Sequence, residues 1–350
     1  MSTVTIAVDL AKNVFELAVA SRAGSIRQRK RLTRPQFEHF WGTQPPCRVI
    51  MEACASSHFW ARYLIARGFT VVLLPPHYVK PYRRRNKTDR TDCEALLEAD
   101  RCAGIHPVTI KSEDQQALVA LHRVRSQWLE SRTARINAMR GMLHEFGVTA
   151  PLGAKRFMSD LHQLLSSKHS VLPERVYRTV IALWEEVCDL EKRVDTIEAE
   201  LETVALEEPV IQALLKIPGI GLLTATALFA TVADIHAFKS GRQLACWLGL
   251  TPREFSSGGR RRLGGISKQG DPYVRMLLIH GARSALSAAR RRAAADLSLT
   301  QLQAWAVKRA REGHSNKAAV AYANKLARIA WAVWYHDRQF DGNHVIRVAA

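Results

Sequence analysis

Two aspartates, Asp89 and Asp92, stand three residues apart where a helix is predicted to begin. Thr88 can serve as the N-cap, and acids in the first turn suit the positive end of the helix dipole. Residues three apart share one helix face, so the two carboxylates would repel each other unless a cation lay between them. Hard oxygen ligands at this spacing suit Mg²⁺ or Mn²⁺. The alternative is a solvated, acid-rich helix start without a ligand.

A dense basic run, Arg83 to Lys87, directly precedes this pair and favours a metal site. A phosphodiester substrate needs cations for its backbone charge beside any catalytic metal. The run therefore predicts nucleic-acid contacts from Arg83, Arg84, Arg85 and Lys87.

Two further acids, Asp9 and Glu52, each stand where a predicted strand ends. Ligands of open α/β sheets bind at strand ends. A lone strand-end aspartate is commonly a turn former, but four converging carboxylates would be hard to gather without cations. Asp9, Glu52, Asp89 and Asp92 are therefore predicted to be metal ligands and catalytic residues.

Short apolar runs separated by turns predict the elements that carry these acids. Three strands in a meander come first, and alternating helix and strand follow, which gives an α/β domain with a mixed sheet. The predicted strands cover residues 3–10, 14–20, 26–32, 48–52 and 69–74, with helices beginning near Pro35 and residue 57.

This order of acids, with Asp-x-x-Asp on a helix after the strands, resembles the DEDD, RuvC-like nuclease domain of the ribonuclease-H type. Three short segments are similar to one family in particular: Ala-Val-Asp-Leu-Ala-Lys (7–12), Met-Glu-Ala-Cys (51–54) and Asn-Lys-Thr-Asp-Arg-Thr-Asp (86–92). That family is the insertion-sequence transposases with a DEDD domain in front and a transposase domain behind. The resemblance implies an enzyme that cuts and rejoins DNA strands with Mg²⁺ or Mn²⁺.

A Gly-rich segment, Arg253 to Asp271, follows an apolar helix and places serines among cations. It resembles the transposase domain of the same family, whose loop holds a nucleophilic serine before a glycine. The matching position is Ser257, and the adjacent Ser256 also fits. Residues 260–266 alternate as a short hairpin would. Cations here could hold a scissile phosphate, which predicts nucleic-acid contacts from Arg260, Arg261, Arg262, Lys268 and Arg275.

The sequence Ile217-Pro-Gly-Ile-Gly221 lies between two apolar helices and resembles a helix-hairpin-helix. Its glycines would let backbone N–H groups at a helix start approach a phosphate. Pro218, Gly219 and Gly221 are therefore predicted to contact nucleic acid without reading sequence. A plain tight turn between helices is the alternative.

The middle of the chain is predicted to be helical. Apolar residues from Val176 to Val204 step by four and three residues, which is a heptad seam of about four heptads. A helix over 113–146 precedes it, and 147–172 is predicted as a loop with a short helix. The seam predicts coiled-coil pairing with a helix of the same chain or, as the preferred alternative, with another subunit.

Charge is the unusual feature of the composition. Lys and Arg number 51 against 32 Asp and Glu, a formal charge of +19. A chain this basic commonly meets a polyanion, and nucleic acid is the default. No long basic amphipathic helix favours a membrane surface instead. The six cysteines form no CxxC pair, which argues against a zinc site or disulfide framework and fits the reducing cytoplasm.

The sequence thus predicts an α/β N-terminal domain (1–110), a helical middle segment (111–207) and a mostly α C-terminal domain (208–350). The family resemblance further implies an active site shared between subunits, with dimers that meet as tetramers on donor and target DNA. It also implies a non-coding bridge RNA that pairs with both DNAs, and a location at the bacterial nucleoid, away from membranes.

Two other functions fit some of the same residues. A metal-dependent junction nuclease would use water, and the serines would then be spectators. A nucleic-acid scaffold with degenerate acids would not be a catalyst at all. A sugar-kinase-like or actin-like ATPase shares the strand pattern, but the isolated glycines of the first domain do not form its phosphate loops.

Overall fold

The computed structural model describes residues 4–21, 25–83, 89–166 and 172–343, with the backbone alone for 89, 90, 162 and 164–166. The chain divides into two units, Met1–Ser112 and Glu113–Ala350. The predicted middle and C-terminal segments fall together in the second unit. Their separation into two domains stays a prediction.

A five-stranded mixed sheet forms the centre of the N-terminal unit, which confirms the prediction of an α/β region. Its strands are β1 (Val4–Asp9), β2 (Val14–Ser21), β3 (Ile26–Thr33), β4 (Arg48–Glu52) and β5 (Thr70–Leu74). They lie in the order β3-β2-β1-β4-β5. The first three pair antiparallel, whereas β1, β4 and β5 run parallel. The apolar middles of β1 and β4 are buried, as in other parallel strands covered on both faces.

Helices cover both faces of this sheet. On one face α1 (Arg34–Thr43) and α2 (Ser57–Ile65) enclose an aromatic cluster, in which the rings of Phe15 and Phe37 stack 4.1 Å apart. On the other face α4 (Asp89–Asp100) packs against small strand residues, including Ala7 and Ala18. A short helix, α3 (Pro76–Val79), and a 3₁₀ turn (Lys80–Tyr82) follow β5 and were not predicted.

The second unit begins with two long helices that pack side by side, α5 (Glu113–Glu145) and α7 (Glu174–Glu207). Ion pairs join Arg125 to Glu198, Arg132 to Glu191 and Arg135 to Glu186, at 2.8 to 3.5 Å. Residue numbers rise along α5 as they fall along α7, so the helices are antiparallel. Between them, α6 (Ala154–Ser166) takes up more of 147–172 than the short helix expected there.

The heptad seam is buried inside this helix pair. Val180 and Val187 share a core with Met139 of α5, and Leu201 shares another with Leu118. The preference for a seam partner on another subunit was therefore wrong, because α5 of the same chain covers these side chains. A seam pattern predicts only that an apolar stripe must be covered, and a preceding helix of equal length covers it at the least entropic cost.

Shorter helices complete the second unit and confirm its mostly α character. Tyr322 and Leu326, on the last helix, lie fully buried in the main core of this unit. None of the described helices combines the length and apolarity that crossing a lipid bilayer requires. The elements are α8 (Pro209–Leu215), α9 (Leu222–Val232), α10 (Gly241–Trp247), β6 (Pro252–Glu254), β7 (Leu263–Ile266), α11 (Pro272–Ala294), α12 (Gln301–Arg311) and α13 (Ser315–Tyr335).

Candidate active site

Two of the predicted acids, Asp9 and Glu52, end adjacent parallel strands. Val8 of β1 is in register with Met51 of β4, so the next residue of each strand is an acid at the same edge of the sheet. Partial burial raises the pKa of the nearby Cys54 thiol, and the negative charges of Glu52 and Asp9 raise it further. The two carboxylates therefore act on one small region, as their strand-end positions predict.

Asp92 reaches the same edge from the first turn of α4. Its neighbour Cys93 is buried and donates a hydrogen bond to the Glu16 carbonyl on β2, with Sγ 3.3 Å from the oxygen. Burial raises the pKa of this thiol to about 12, although a hydrogen bond with the Asp9 backbone lowers it. Cys93 thus stays a neutral thiol that fixes the start of α4 against β1 and β2. Asp92 itself is 6% exposed.

The guanidinium group of Arg83 lies between two of these acids. Its Nη2 donates to Glu52 Oε2 at 2.6 Å, and its Nε is 3.0 Å from Asp92 Oδ1. Sequence reasoning assigned Arg83 to nucleic acid and missed this bridge, because nothing in the basic run distinguishes Arg83 from its neighbours. Its contact with nucleic acid stays a prediction. In the structure it pairs with two of the acids and offsets one of the negative charges of the site.

The chemistry of the donor set fits a divalent metal ion. Glu52 and Asp92 offer hard oxygen ligands. The buried Asp92 Oδ1 atom makes no well-aligned hydrogen bond, although Arg83 Nε lies 3.0 Å away. A cationic group already occupies the space between the two acids. Among the described residues, which exclude the side chain of Asp89, no three acidic, histidine or cysteine side chains are gathered closely enough to hold a metal. Metal binding would therefore require Arg83 to leave and the acids to draw together.

Four of the predicted site residues lie wholly or partly outside the described residues. Arg84, Arg85 and Lys87 lie outside the described residues, and so does the side chain of Asp89. The backbone nevertheless begins α4 at Asp89, so the predicted helix start is confirmed and the Asp89–Asp92 spacing stays helical.

The two candidate serines lie in a hairpin formed by β6 and β7 in the second unit. Ser256 Oγ donates to Glu254 Oε1 at 2.6 Å and accepts from the Arg262 backbone N–H at 3.2 Å. Ser257 pairs with Arg260 through the backbone in the turn. Within the described residues no hydrogen bond involves the Ser257 hydroxyl. Ser256 therefore supports the hairpin, and Ser257 presents its hydroxyl to solvent.

Cations surround the exposed end of this hairpin. Arg260, Arg261 and Arg262 are all exposed, as predicted for groups that meet a phosphate. Arg261 also lies 3.7 Å from Glu254, in a solvent-exposed ion pair that contributes little to stability. The described arrangement thus places one acid and three arginines around the two serines.

The base of the hairpin is fixed by close backbone packing. Gly270 has φ +71°, and a Cβ atom there would lie 2.0 Å from the Trp247 carbonyl oxygen. Arg275 donates to the Leu248 and Gln269 carbonyls at 3.1 and 2.6 Å. Sequence reasoning offered Arg275 as a phosphate contact, and the structure gives it a structural role. Lys268 is exposed with φ +57° in the same turn, and its predicted contact with nucleic acid is untested.

The Pro218–Gly221 turn joins α8 to α9, as the predicted helix pair requires. Gly219 has φ +100°, and a Cβ there would lie 3.1 Å from the Gly281 carbonyl oxygen of α11. Close packing on α11 thus accounts for this glycine without a phosphate. Pro218 and Gly221 are exposed, and space around Gly221 is open. The start of α9 is the part of the turn still accessible to a ligand.

Comparison with known proteins gives the family. Residues 211–298 match the model of the IS116/IS110/IS902 transposase family, and residues 6–147 match a DEDD transposase model of the IS110 type. A probable family 20 transposase of Pseudomonas aeruginosa is 40% identical over 95% of this chain and 97% of its own length. The chain belongs to the IS110 family of insertion-sequence transposases. The predicted resemblance is confirmed.

Other relatives agree over nearly the whole transposase chain. The transposase for insertion sequence element IS1111A of Coxiella burnetii is 38% identical over 93% of this chain and 88% of the relative. The transposase for insertion sequence element IS1328 of Yersinia enterocolitica is 38% identical over 94% of this chain and 96% of the relative. The match over residues 6–147 includes the acid site, and the match over residues 211–298 includes the serine hairpin. The transposase is therefore an enzyme that cuts and rejoins DNA, and its DEDD family implies dependence on a divalent metal.

Proposed function

We propose that this transposase joins a DNA strand end to Ser257 and later transfers that end to another strand. In this proposal Asp9, Glu52, Asp89 and Asp92 hold one or two Mg²⁺ or Mn²⁺ ions. The convergence of strand-end acids with Asp92, bridged by the Arg83 guanidinium, is the observation that carries the proposal. When bound, the metal supplies charge neutralisation at the scissile phosphate.

The covalent step is a transesterification at phosphorus. The Ser257 hydroxyl oxygen forms a bond to phosphorus while the bond from phosphorus to a deoxyribose oxygen breaks. The serine proton passes to solvent, and the released deoxyribose oxygen takes up a proton. The DNA phosphodiester becomes a phosphodiester between serine and DNA of comparable energy, so the reverse attack by a deoxyribose hydroxyl can rejoin DNA without ATP.

The hairpin residues have distinct roles in this step. Arg260, Arg261 and Arg262, which are exposed, would hold the phosphate whose charge rises during attack. Ser256, engaged with both Glu254 and Arg262, keeps the turn in shape. Ser257 is the proposed nucleophile because the family resemblance matches it, and the absence of a described side-chain hydrogen bond leaves its hydroxyl available.

The proposal includes an assembly in which the acid site and the serine hairpin come from different subunits. Dimers would meet as tetramers when donor and target DNA are brought together. A bridge RNA would select both DNAs by base pairing. The formal charge of +19 supports a protein that contacts several nucleic-acid backbones, and DNA alone would account for it equally well.

Paired serine variants test the nucleophile. Ser257→Ala should abolish strand cleavage while DNA binding is kept, and Ser256→Ala should reduce cleavage only through loss of hairpin support. If Ser256→Ala alone abolished cleavage, the nucleophile would be Ser256. Undiminished cleavage by both variants and by the double variant would instead favour a metal-dependent nuclease that uses water.

Mixing inactive variants tests the shared site. Asp92→Asn and Ser257→Ala each lack one half of the proposed chemistry. If the halves act between subunits, a mixture of the two variants recovers part of the strand transfer that neither performs alone. An inactive mixture, with both variants shown to assemble, would place both halves in one chain.

A further inference from the structure

A large open groove lies beside the serine hairpin, and the proposed chemistry does not use it. Its volume is about 1130 Å³. One wall comes from α12 and α13, and the facing wall from Gly264, Gly265 and Ile266 of β7. The hairpin that carries Ser257 thus also forms one side of this groove.

The helical wall of the groove is strongly basic. Lys308 and Arg309 of α12 and Lys317, Lys325 and Arg328 of α13 line it. On α13 the three cations are spaced by eight and three residues, so they share one face, whereas Lys308 and Arg309 are adjacent residues of α12. Glu312 is the single acid in the lining, and it pairs with the two α12 cations at 3.7 to 3.9 Å. The α13 cations have no carboxylate partner among the described residues.

Two of these cations lie close together and partly buried. Lys325 and Arg328 are one helical turn apart, and both are half-buried. Burial lowers the pKa of Lys325, and the positive charge of Arg328 lowers it further. The Lys325 ammonium lies 4.0 Å from the ring centroid of Trp305, which offsets part of its desolvation. An anion in the groove would relieve this repulsion.

We propose that this groove binds the phosphodiester backbone of one nucleic-acid strand and leads it past the serine hairpin. Charge complementarity selects a polyanion, because three unpaired cations follow one helix face over about three turns. The half-buried Trp305 ring among them is the kind of surface on which single-strand grooves stack a base. The cavity volume exceeds the usual range for a single small ligand.

This inference deepens the proposed function. It rests on that function in one respect only, namely that the bound strand is the one that Ser257 attacks. Binding itself is independent of cleavage and can be measured without metal. The ligand chemistry is shared by DNA and RNA, so labelled oligothymidine and oligouridine of about 15 nucleotides are the two probes. A DNA duplex of the same length is the third.

Fluorescence anisotropy at several salt concentrations gives the number of phosphate contacts. For single strands the logarithm of affinity falls with the logarithm of salt concentration by about 0.7 per contact. Lys317→Gln/Lys325→Gln should reduce this slope by about 1.4 for at least one single-stranded probe. Lys155→Gln/Arg156→Gln, which removes two exposed cations from α6, should leave the slope unchanged. Lys317→Gln alone, at an exposed position, should reduce it by about 0.7 and guards against misfolding of the double variant.

The strand that loses more contacts identifies the groove's ligand as DNA or RNA. Equal slopes for the groove and α6 variants would overturn the proposal, as would a loss confined to the duplex. The Ser257→Ala variant should keep the wild-type slope. Normal cleavage by Ser257→Ala together with a reduced slope for the groove variant would exclude Ser257 as the nucleophile and leave the groove proposal intact. Loss of cleavage by Ser257→Ala with no slope change in the groove variant would support Ser257 as the nucleophile and overturn the groove proposal.

Discussion

The acid site and the serine hairpin differ in burial and in the sign of their charge. Asp9, Glu52 and Asp92 are attached to a sheet and a helix with buried apolar cores, and one guanidinium group pairs with two of them. Ser257 lies at the exposed end of a two-stranded hairpin among uncovered arginines. The first site is prepared for a cation and the second for an anion.

The difference explains why each site has its own kind of support. Carboxylates gathered at a sheet edge repel each other, so their positions must be imposed by the core behind them. A nucleophile that must reach a DNA strand needs exposure, so only the base of its hairpin is packed tightly, at Gly249 and Gly270. Four predictions test this comparison.

The largest effect is expected at the acid site. Asp92→Asn removes a ligand charge and should reduce strand cleavage by about 10³-fold, in the range seen when one stabilising group is lost from an active site. DNA binding should stay near the wild-type level. Asp100→Asn, on the same helix, loses a partly exposed ion pair with Arg48 and should cost at most about 1 kcal/mol of stability. Similar cleavage by both variants would show that Asp92 is only structural.

The next effect concerns the base of the hairpin. Gly270→Ala places a Cβ 2.0 Å from a carbonyl oxygen at φ +71° and should lower the free energy of unfolding of its unit by more than about 3 kcal/mol. Gly258→Ala, at φ +55° with open space around it, should cost only about 1–2 kcal/mol. Calorimetric melting temperatures compare them. Equal losses would mean that the exposed end is held as tightly as the base.

Acidification should weaken both units through one histidine each. Burial lowers the pKa of His58 and of His122 from 6.5 to about 4. His122 bonds Tyr273 and Thr226, and His58 Nδ1 accepts the Lys111 N–H. Below about pH 6.5 these histidines bind protons in the unfolded chain but stay neutral in the folded chain. Their contribution to stability is therefore full above about pH 6.5 and falls toward pH 4.

The loss should reach up to about 3 kcal/mol for His122 and less for the more exposed His58. His122→Gln should flatten the fall of melting temperature between pH 7 and 5 for the second unit, and His58→Gln for the first. A pH dependence unaltered in both variants would show that other groups control it.

The smallest effect expected is on metal affinity. Arg83 must give up Glu52 and Asp92 before a metal can bind there, so Arg83→Gln should bind Mn²⁺ about tenfold more tightly in calorimetry, or about 1.4 kcal/mol. Arg29→Gln serves as the matched control, because Arg29 pairs with Glu94, which lies on α4 as Asp92 does. Weaker Mn²⁺ binding by Arg83→Gln would show that the arginine helps to shape the metal site.

Local patterns predicted the positions of most elements and of the acids. Four apolar runs and the basic segment 26–32 became the five strands, and the acids that end β1 and β4 had to share one edge once those strands paired in parallel. The helix pair at Gly219 followed from turn residues in the same way, whereas the hairpin expected within residues 260–266 is instead formed by β6 and β7 across residues 252–266. These predictions depended only on neighbours along the chain.

Contacts between distant residues could not be predicted. The bridge from Arg83 to Glu52 and Asp92 depends on how a turn after β5 returns over the sheet. The seam from Val176 to Val204 specified an apolar stripe but not the helix that covers it. Arg275 looked like its basic neighbours, and only the packing of Leu248 and Gln269 beside α11 shows that it holds backbone carbonyls.

Mapping of a covalent protein–DNA adduct tests the central claim most directly. After reaction with Mn²⁺ and quenching, nuclease trims the DNA and trypsin releases the peptide of residues 254–260, which contains both serines. Mass spectrometry with fragmentation should find a nucleotide on Ser257, and the adduct should be missing from Asp92→Asn. Cleaved DNA without any adduct on this peptide would contradict the serine mechanism.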